Sequence, residues 1–338
     1  MLANVSRNGA IGITGVGSYV PQRVLTNDEL SKLVDTSDEW ITERTGIRER
    51  RVAEPDQAAS DLALPAAQQA LAAAGLDAAD IDLVVVATVT PDMFFPSTGS
   101  LLASALGADD AGAYDLSAGC TGFMYALAQA YGTLAGGLAE NALVVGTETL
   151  SKIVNWHDRT TCVLFGDGAG AVVLQRVPKG GFLGFELGSD GEGGKELSIP
   201  AGGSRLPVSP DTLAEEMHFL QMNGREVYKF ATRILVSSAE KLLEECGLTV
   251  DDIDLYIPHQ ANKRIIDHAA GKLGIPKEKI FVNVQKYGNT SSASIPLCLA
   301  EAVAAGRLAK GTRVLMTGMG AGLTWGSAYT IWNDGQTA

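Results

Sequence analysis

The chain has 338 residues, 46% of them hydrophobic and 19% charged, a balance that argues against disorder and suffices to bury one large core or two smaller ones. A formal net charge of −13 argues against a nucleic-acid partner, which needs a positive field over the contact surface. No apolar run reaches the roughly 18 residues of a spanning helix, and Met1 to Val20 holds Arg7 and several glycines without a continuous apolar stretch, so a cytoplasmic protein is expected.

In chain order, Thr36-x-x-Glu39 is a capping-box pattern that predicts Trp40 in the first turn of a helix, with Arg44 four residues on along the same face. The Ala-rich run Ala58 to Ala74 carries Leu62, Leu64 and Leu71 at helical spacing and reads as a packed helix. GLDAADIDLVVVAT from Gly75 leads into a continuous apolar strand, of the kind covered on both faces. YDLSAGCTGFMYALAQA then runs from a short strand through a small-residue turn into a helix, and ALVVGTE from Ala142 and GAGAVVLQRV from Gly168 are further strands.

The second part repeats this order. GLTVDDIDLYIPHQ from Gly247 echoes the segment at Gly75, RVLMTGMG from Arg313 echoes ALVVGTE, and GSAYTIW from Gly326 follows a glycine turn as GAGAVVLQRV does. The echo shortens between the last two pairs, and the extra segment 151–165 of the first part, with Trp156 and Arg159, accounts for the difference. Two duplicated α/β halves are expected, 1–176 and 177–338, layered about shared helices so that equivalent loops meet.

Three residues at such loops carry chemistry. Cys120 lies at a strand-to-helix turn between Gly119 and Gly122, where unpaired N–H groups are expected to lower a thiol pKa; an isolated cysteine is otherwise a core residue. His259 ends the D-I-D-L strand ahead of a helix, a catalytic position in open α/β sheets, although a lone histidine is commonly structural. Asn289 follows Gly288 near the next helix start, where it could also be a plain cap. TGMGAGLTWGSA from Thr317 is expected as a glycine-dense loop with free N–H groups, and it lacks the phosphate-binding glycine patterns. The four cysteines are far apart and suggest neither disulfides nor a metal site.

Together these stretches resemble the β-ketoacyl-[acyl carrier protein] synthase III family of thiolase-like condensing enzymes. DTSDEWITERTGIRER at Asp35, the Cys120 turn, FGDGAGAVVL at Phe165, PHQAN at Pro258, GNTSSASIP at Gly288 and GAGLTWGSA at Gly320 stand in the family's order. The resemblance implies a thiolase-like αβαβα fold and decarboxylative condensation of an acyl-coenzyme A starter with malonyl-acyl carrier protein, initiating type II fatty acid synthesis. It implies Cys120 as nucleophile, His259 and Asn289 as its partners, and an oxyanion hole of the Cys120 and Ala321 N–H groups. Trp40, Arg44, Arg159 and Asn262 are implied at the coenzyme A site. Phe95 is implied as a residue that closes the partner's acyl pocket in a homodimer, and Met319, where the family often has Phe, bears on the channel shape. Neither a cofactor nor a metal is implied, coenzyme A being a substrate.

Lys229 and Arg233, four apart on a helical segment, and Lys263, Arg264 and Lys272 after His259 are an expected docking patch for the acidic carrier, against the plain reading of solvated charge. Acyl-pocket depth is expected to depend on Thr161, Phe165 and the stretch 206–220. Rival readings are an acyltransferase without decarboxylation, a thiolase, which would carry a second cysteine on the late glycine loop, and a silent carrier-binding partner, which would lose the nucleophile.

Overall fold

The computed structural model describes residues 10–333; the outer ends of the two expected halves, 1–9 and 334–338, lie outside them. The apolar runs form two sheets. The first contains β1 (Ala10–Tyr19), β2 (Leu83–Ala87), β3 (Gly112–Leu116), β4 (Ala142–Glu148) and β5 (Gly168–Val177), in spatial order β1-β5-β4-β2-β3. The second contains β6 (Gly181–Ser189), β7 (Leu255–Pro258), β8 (Arg313–Gly320) and β9 (Thr324–Ile331), in order β7-β8-β9-β6. Every residue of β2 and β4 is buried, because these central strands are covered on both faces.

The sheets repeat one plan. β2 runs parallel to β4 and β7 to β8, while β5 and β9 return antiparallel. β3 is the edge of the first sheet; its counterpart in the second is a single parallel bridge, Tyr256 to Ile280, matching the Val84–Ala113 pair. The glycine-dense stretch from Thr317 is mostly strand, contrary to the loop expected, with only 321–323 left between β8 and β9.

Three helix layers enclose these sheets. α1 (Asp38–Thr45) lies near the surface, and α2 (Ala59–Ala74) and α3 (Thr98–Leu106) cover the outer face of the first sheet. α4 (Gly122–Ala135) lies between the sheets, α5 (Gly224–Cys246) and α6 (Lys263–Leu273) cover the second, and α7 (Ser294–Ala304) joins α4 in the centre. Phe123, Met124, Leu127 and Leu134 of α4 share one core cluster with Ile295, Cys298 and Leu299 of α7 and with strands of both sheets. Truncating a residue such as Leu127 to Ala removes contacts to both halves, at a cost of about 2–5 kcal/mol. Among the described residues no helix is long and apolar enough to cross a membrane.

The segment 151–165 is pinned by two buried charged residues. Arg50 is fully buried and donates to Leu25 O, Asn27 Oδ1 and Val163 O; burial pushes its guanidinium down to about 10. Asp167 accepts from Ala53 N, Ser151 N and Ser151 Oγ. Breaking either set would strand a buried polar group at about 1–3 kcal/mol, more if charged.

Candidate active site

The two halves bring equivalent turns together. A 3-10 turn, Gly119–Thr121, precedes α4, and another, Ser291–Ala293, precedes α7, and the two turns pack against each other. Gly119 has φ +57°, and a Cβ there would meet Ala321 N at 2.6 Å. A Cβ on Gly320 would fall 2.4 Å from Cys120 N. Only glycine at both positions lets the Cys120 turn and the β8–β9 loop touch backbone to backbone.

Cys120, His259 and Asn289 line one cavity, of about 90 Å³, with Phe165, Asn262 and Met319. His259, at the end of β7, is 1% exposed, and its N–H donates to Thr317 O at 2.7 Å. Its Nδ1 lies 2.6 Å from Ser294 Oγ, and that oxygen accepts the Gln260 N–H at 3.4 Å. Among the described residues the Ser294 proton has no other acceptor, so it points at Nδ1, which leaves Nε2 as the protonated nitrogen of a neutral ring. Burial pushes the imidazole down to about 3, in keeping with a neutral ring. Nε2 is buried and makes no hydrogen bond among the described residues. An unpaired N–H on a cavity wall costs free energy unless a ligand meets it.

Asn289 is fixed by its backbone, donating to Leu164 O and accepting from Gly166 N, and its Oδ1 accepts the Ser291 N–H at 2.8 Å. With Oδ1 engaged, Nδ2 is the group left for the cavity. Asn289 is thus a local cap of Ser291 and not of α7, whose N-cap is Ala293. Ser291 holds φ +48°, an uncommon conformation for a non-glycine residue, and its buried Oγ makes no hydrogen bond among the described residues.

The expectation of a lowered Cys120 pKa is overturned. Burial pushes the thiol up to about 12; the Ser291 and Asn289 side chains favour the thiolate and the nearby Glu148 opposes it. Desolvation outweighs the turn's polar groups because, among the described residues, no cation lies beside the sulfur to replace lost water.

A second, larger cavity of about 220 Å³ opens from Cys120 and is lined by Val89, Leu150, Ile153, Phe165, Leu197 and Leu220. Leu150, Ile153 and Phe165 come from the extra segment and its ends. Thr161, expected to shape this space, is not among its lining residues; it is buried and bonded to Asp158.

On the surface, Trp40, Arg44 and Arg159 converge. The Arg44 and Arg159 guanidiniums lie 4.5 and 5.4 Å from the Trp40 ring centre, and Arg159 also binds Asp35. The N-cap of α1 is Ser37, not the Thr36 expected; Ser37 Oγ accepts the Trp40 N–H, which still places Trp40 in the first turn. Asn262 caps α6 through Oδ1 and donates to Arg44 O, joining this cluster to the Cys120 cavity it lines.

Phe95 is 84% exposed and lines neither cavity, whereas Met319 is buried within the first. Lys229 and Arg233 on α5 and Lys263, Arg264 and Lys272 on α6 occupy adjoining helices. Lys229 pairs with Glu226 and Lys263 with Asp267, while Arg264 stacks on Tyr228. Sequence reasoning missed Ser294, Ser291 and Glu148, which act through their neighbours; the run of hydroxyls in GNTSSAS was the available signal. Among the described residues no group of His, Cys, Asp and Glu is arranged to hold a metal ion.

Residues 114–191 match the family model of 3-oxoacyl-[acyl-carrier-protein (ACP)] synthase III and residues 243–332 that of its C-terminal part. A β-ketoacyl-[acyl-carrier-protein] synthase III of Caldanaerobacter subterraneus subsp. tengcongensis is 54% identical over 96% of this chain and 98% of its own. The crystal structure of 3-oxoacyl-[acyl-carrier-protein] synthase III from Aquifex aeolicus superposes with a TM-score of 0.89 at 45% identity, covering 96% of this chain and 100% of that one. A priming β-ketosynthase of the R1128 polyketide pathway superposes with a TM-score of 0.90 at 38% identity, covering 99% and 100%. With relatives matched over almost their whole length and the paired halves of a thiolase-like fold, this chain belongs to the β-ketoacyl-[acyl-carrier-protein] synthase III family.

Proposed function

We propose that the chain catalyses decarboxylative Claisen condensation of an acyl-coenzyme A starter with malonyl-acyl carrier protein, giving a 3-ketoacyl carrier, carbon dioxide and coenzyme A. The observation that carries this reading is the unpaired, buried Nε2–H of His259 on the same wall as Cys120 and Asn289. In the first step the Cys120 sulfur attacks the acyl-coenzyme A carbonyl, whose oxygen is held by the Cys120 and Ala321 N–H groups. The proton lost by Cys120 ends on the departing coenzyme A sulfur, so no standing thiolate is required, in keeping with the raised thiol pKa. The acyl chain enters the 220 Å³ apolar cavity.

In the second step His259 Nε2–H and Asn289 Nδ2–H donate to the malonyl thioester oxygen as carbon dioxide leaves and enolate charge develops. The carbanion attacks the acyl-Cys120 carbonyl, the C–S bond breaks, and the sulfur takes up a proton. Trp40, Arg44, Arg159 and Asn262 bind coenzyme A, with the flat ring beside two guanidiniums suited to adenine and phosphate. Lys229, Arg233, Lys263, Arg264 and Lys272 dock the carrier. The molecule works as a homodimer in the cytoplasm: Phe94 and Phe95, 85% and 84% exposed, suit insertion into a second copy, where Phe95 closes the acyl cavity with Met319 nearby. The chemistry needs neither cofactor nor metal.

A product destined for fatty acids is the reading the synthase III relatives favour; the priming ketosynthase at 38% identity makes a polyketide starter the second. Intact mass after incubation with a panel of acyl-coenzyme A thioesters, followed by carbon dioxide release from malonyl carrier, tests the scheme. Acyl adducts on Cys120 without carbon dioxide would make it an acyltransferase of another kind.

A further inference from the structure

Glu148 ends β4 completely buried, beside Cys120, and the scheme above gives it no part. Its Oε2 accepts from Thr90 Oγ1 at 2.7 Å, Val89 N at 3.1 Å and Thr88 Oγ1 at 3.2 Å. Both threonine hydroxyls also accept a backbone N–H, Thr88 from Thr90 and Thr90 from Thr149, and they lie 3.5 Å from each other. The other oxygen, Oε1, lies 2.8 Å from Ser292 Oγ, and Ser292 Oγ lies 2.8 Å from Ala87 O. A serine has one proton, and a backbone carbonyl can only accept. Two full hydrogen bonds form when Ser292 donates to Ala87 O and Oε1 carries a proton that it donates to Ser292, and two contacts of equal 2.8 Å length favour this over one proton shared between both acceptors.

We propose that Glu148 is a neutral carboxylic acid that clamps the Asn289–Ser292 turn of the second half onto the ends of β2 and β4 in the first. Among the described residues Glu148 takes part in no ion pair, and burial drives its carboxyl upward from the ordinary carboxylate range, which agrees with the proton count. The clamp joins the strand ends under Cys120 to the turn that carries Asn289, so it sets the spacing between nucleophile and donor. Its neutrality matters for the same reason: a buried negative charge here would oppose the charge that forms on the sulfur and on the thioester oxygen. Glu148 is a positioning residue, touching no substrate, and the inference rests on the roles proposed for Cys120 and Asn289.

Infrared difference spectra of the full-length wild type against Glu148→Gln at neutral pH test the protonation directly. The wild type should show the carbonyl band of a protonated acid that the variant lacks; a carboxylate band instead overturns the proposal, whatever Asn289 does. Glu148→Gln keeps one acceptor oxygen and a donor toward Ser292, whereas Glu148→Ala keeps neither. Condensation kcat should therefore fall about tenfold or more in Glu148→Ala, with acyl-coenzyme A KM within about threefold, and Gln should rescue most of it. A Gln variant as impaired as Ala would mean that charge is needed and would refute the neutral clamp. An alanine variant that melts like the wild type and condenses normally would refute the positioning role. If Glu148→Ala does not fold, the infrared band and the Gln variant decide alone. Failure of the underlying scheme reads out separately, as acyl adducts that persist in Cys120→Ala.

Discussion

Replacing Asn289 by Ala removes two things of different size. The Nδ2 donor is lost from the malonyl thioester oxygen, and by comparison with other oxyanion donors this raises the condensation barrier by about 3 kcal/mol, a hundredfold or more in rate. The Oδ1 cap on the Ser291 N–H is also lost, worth about 1 kcal/mol of stability, or a fall of about 1–2 °C in Tm. The backbone bonds from Asn289 to Leu164 and Gly166 do not involve the side chain and should hold the turn. Acylation of Cys120 uses backbone N–H groups and should survive. The assay is radiolabelled acyl transfer to the protein beside carbon dioxide release from malonyl carrier, with a thermal melt. Parallel loss of both activities with a melt within a few degrees of the wild type would refute this division of labour.

Other perturbations test other parts of the site. Arg159→Ala or Arg44→Ala should raise the acyl-coenzyme A KM at least about tenfold and leave condensation by pre-acylated enzyme near normal; equal loss in both steps would remove the assignment. His259 is held neutral, with a pKa of about 3 against about 6.5 unfolded, so between those values the unfolded chain binds the extra proton and stability falls as pH falls. At pH 5 this amounts to about 2 kcal/mol, so denaturant titrations should show a smaller loss from pH 7 to pH 5 in His259→Gln than in the wild type; equal losses would contradict a neutral histidine. Arg264→Glu should raise the KM for the carrier and weaken its salt dependence, and an unchanged salt profile would move the docking patch elsewhere.

Much of the fold was legible because its strands are short, fully buried apolar runs punctuated by glycine, and because the D-I-D-L echo exposes the duplication. The residues Cys120, His259 and Asn289 were legible as strand ends and turns. Desolvation was not: the flanks of Cys120 suggest a stabilised thiolate, but only the packed structure shows that burial exceeds the help of the turn. Thr36 and Ser37 are both competent caps one residue apart, and the choice depends on where α1 docks. Glu148 reads as the polar end of a strand, and its importance comes from Ser292, distant in sequence and brought near by the fold. The second sheet's missing edge strand likewise left no mark, since the residues around Ile280 keep an apolar strand-like composition while making one bridge.

The backbone contact between Gly119 and the 320–321 loop has a consequence for the order in which the enzyme comes into being. During synthesis Cys120 leaves the ribosome long before His259 and Asn289, and the first half can collapse around it while the second is still being made. Until β8 and β9 close, Ala321 is absent from the proposed oxyanion site, and His259 lacks Thr317 O, which accepts its backbone N–H. A half-made chain therefore lacks the oxyanion site proposed for Cys120 and the full set of donors proposed for condensation. On the proposed roles, completion of the late hairpin is the event that assembles the site around the cysteine.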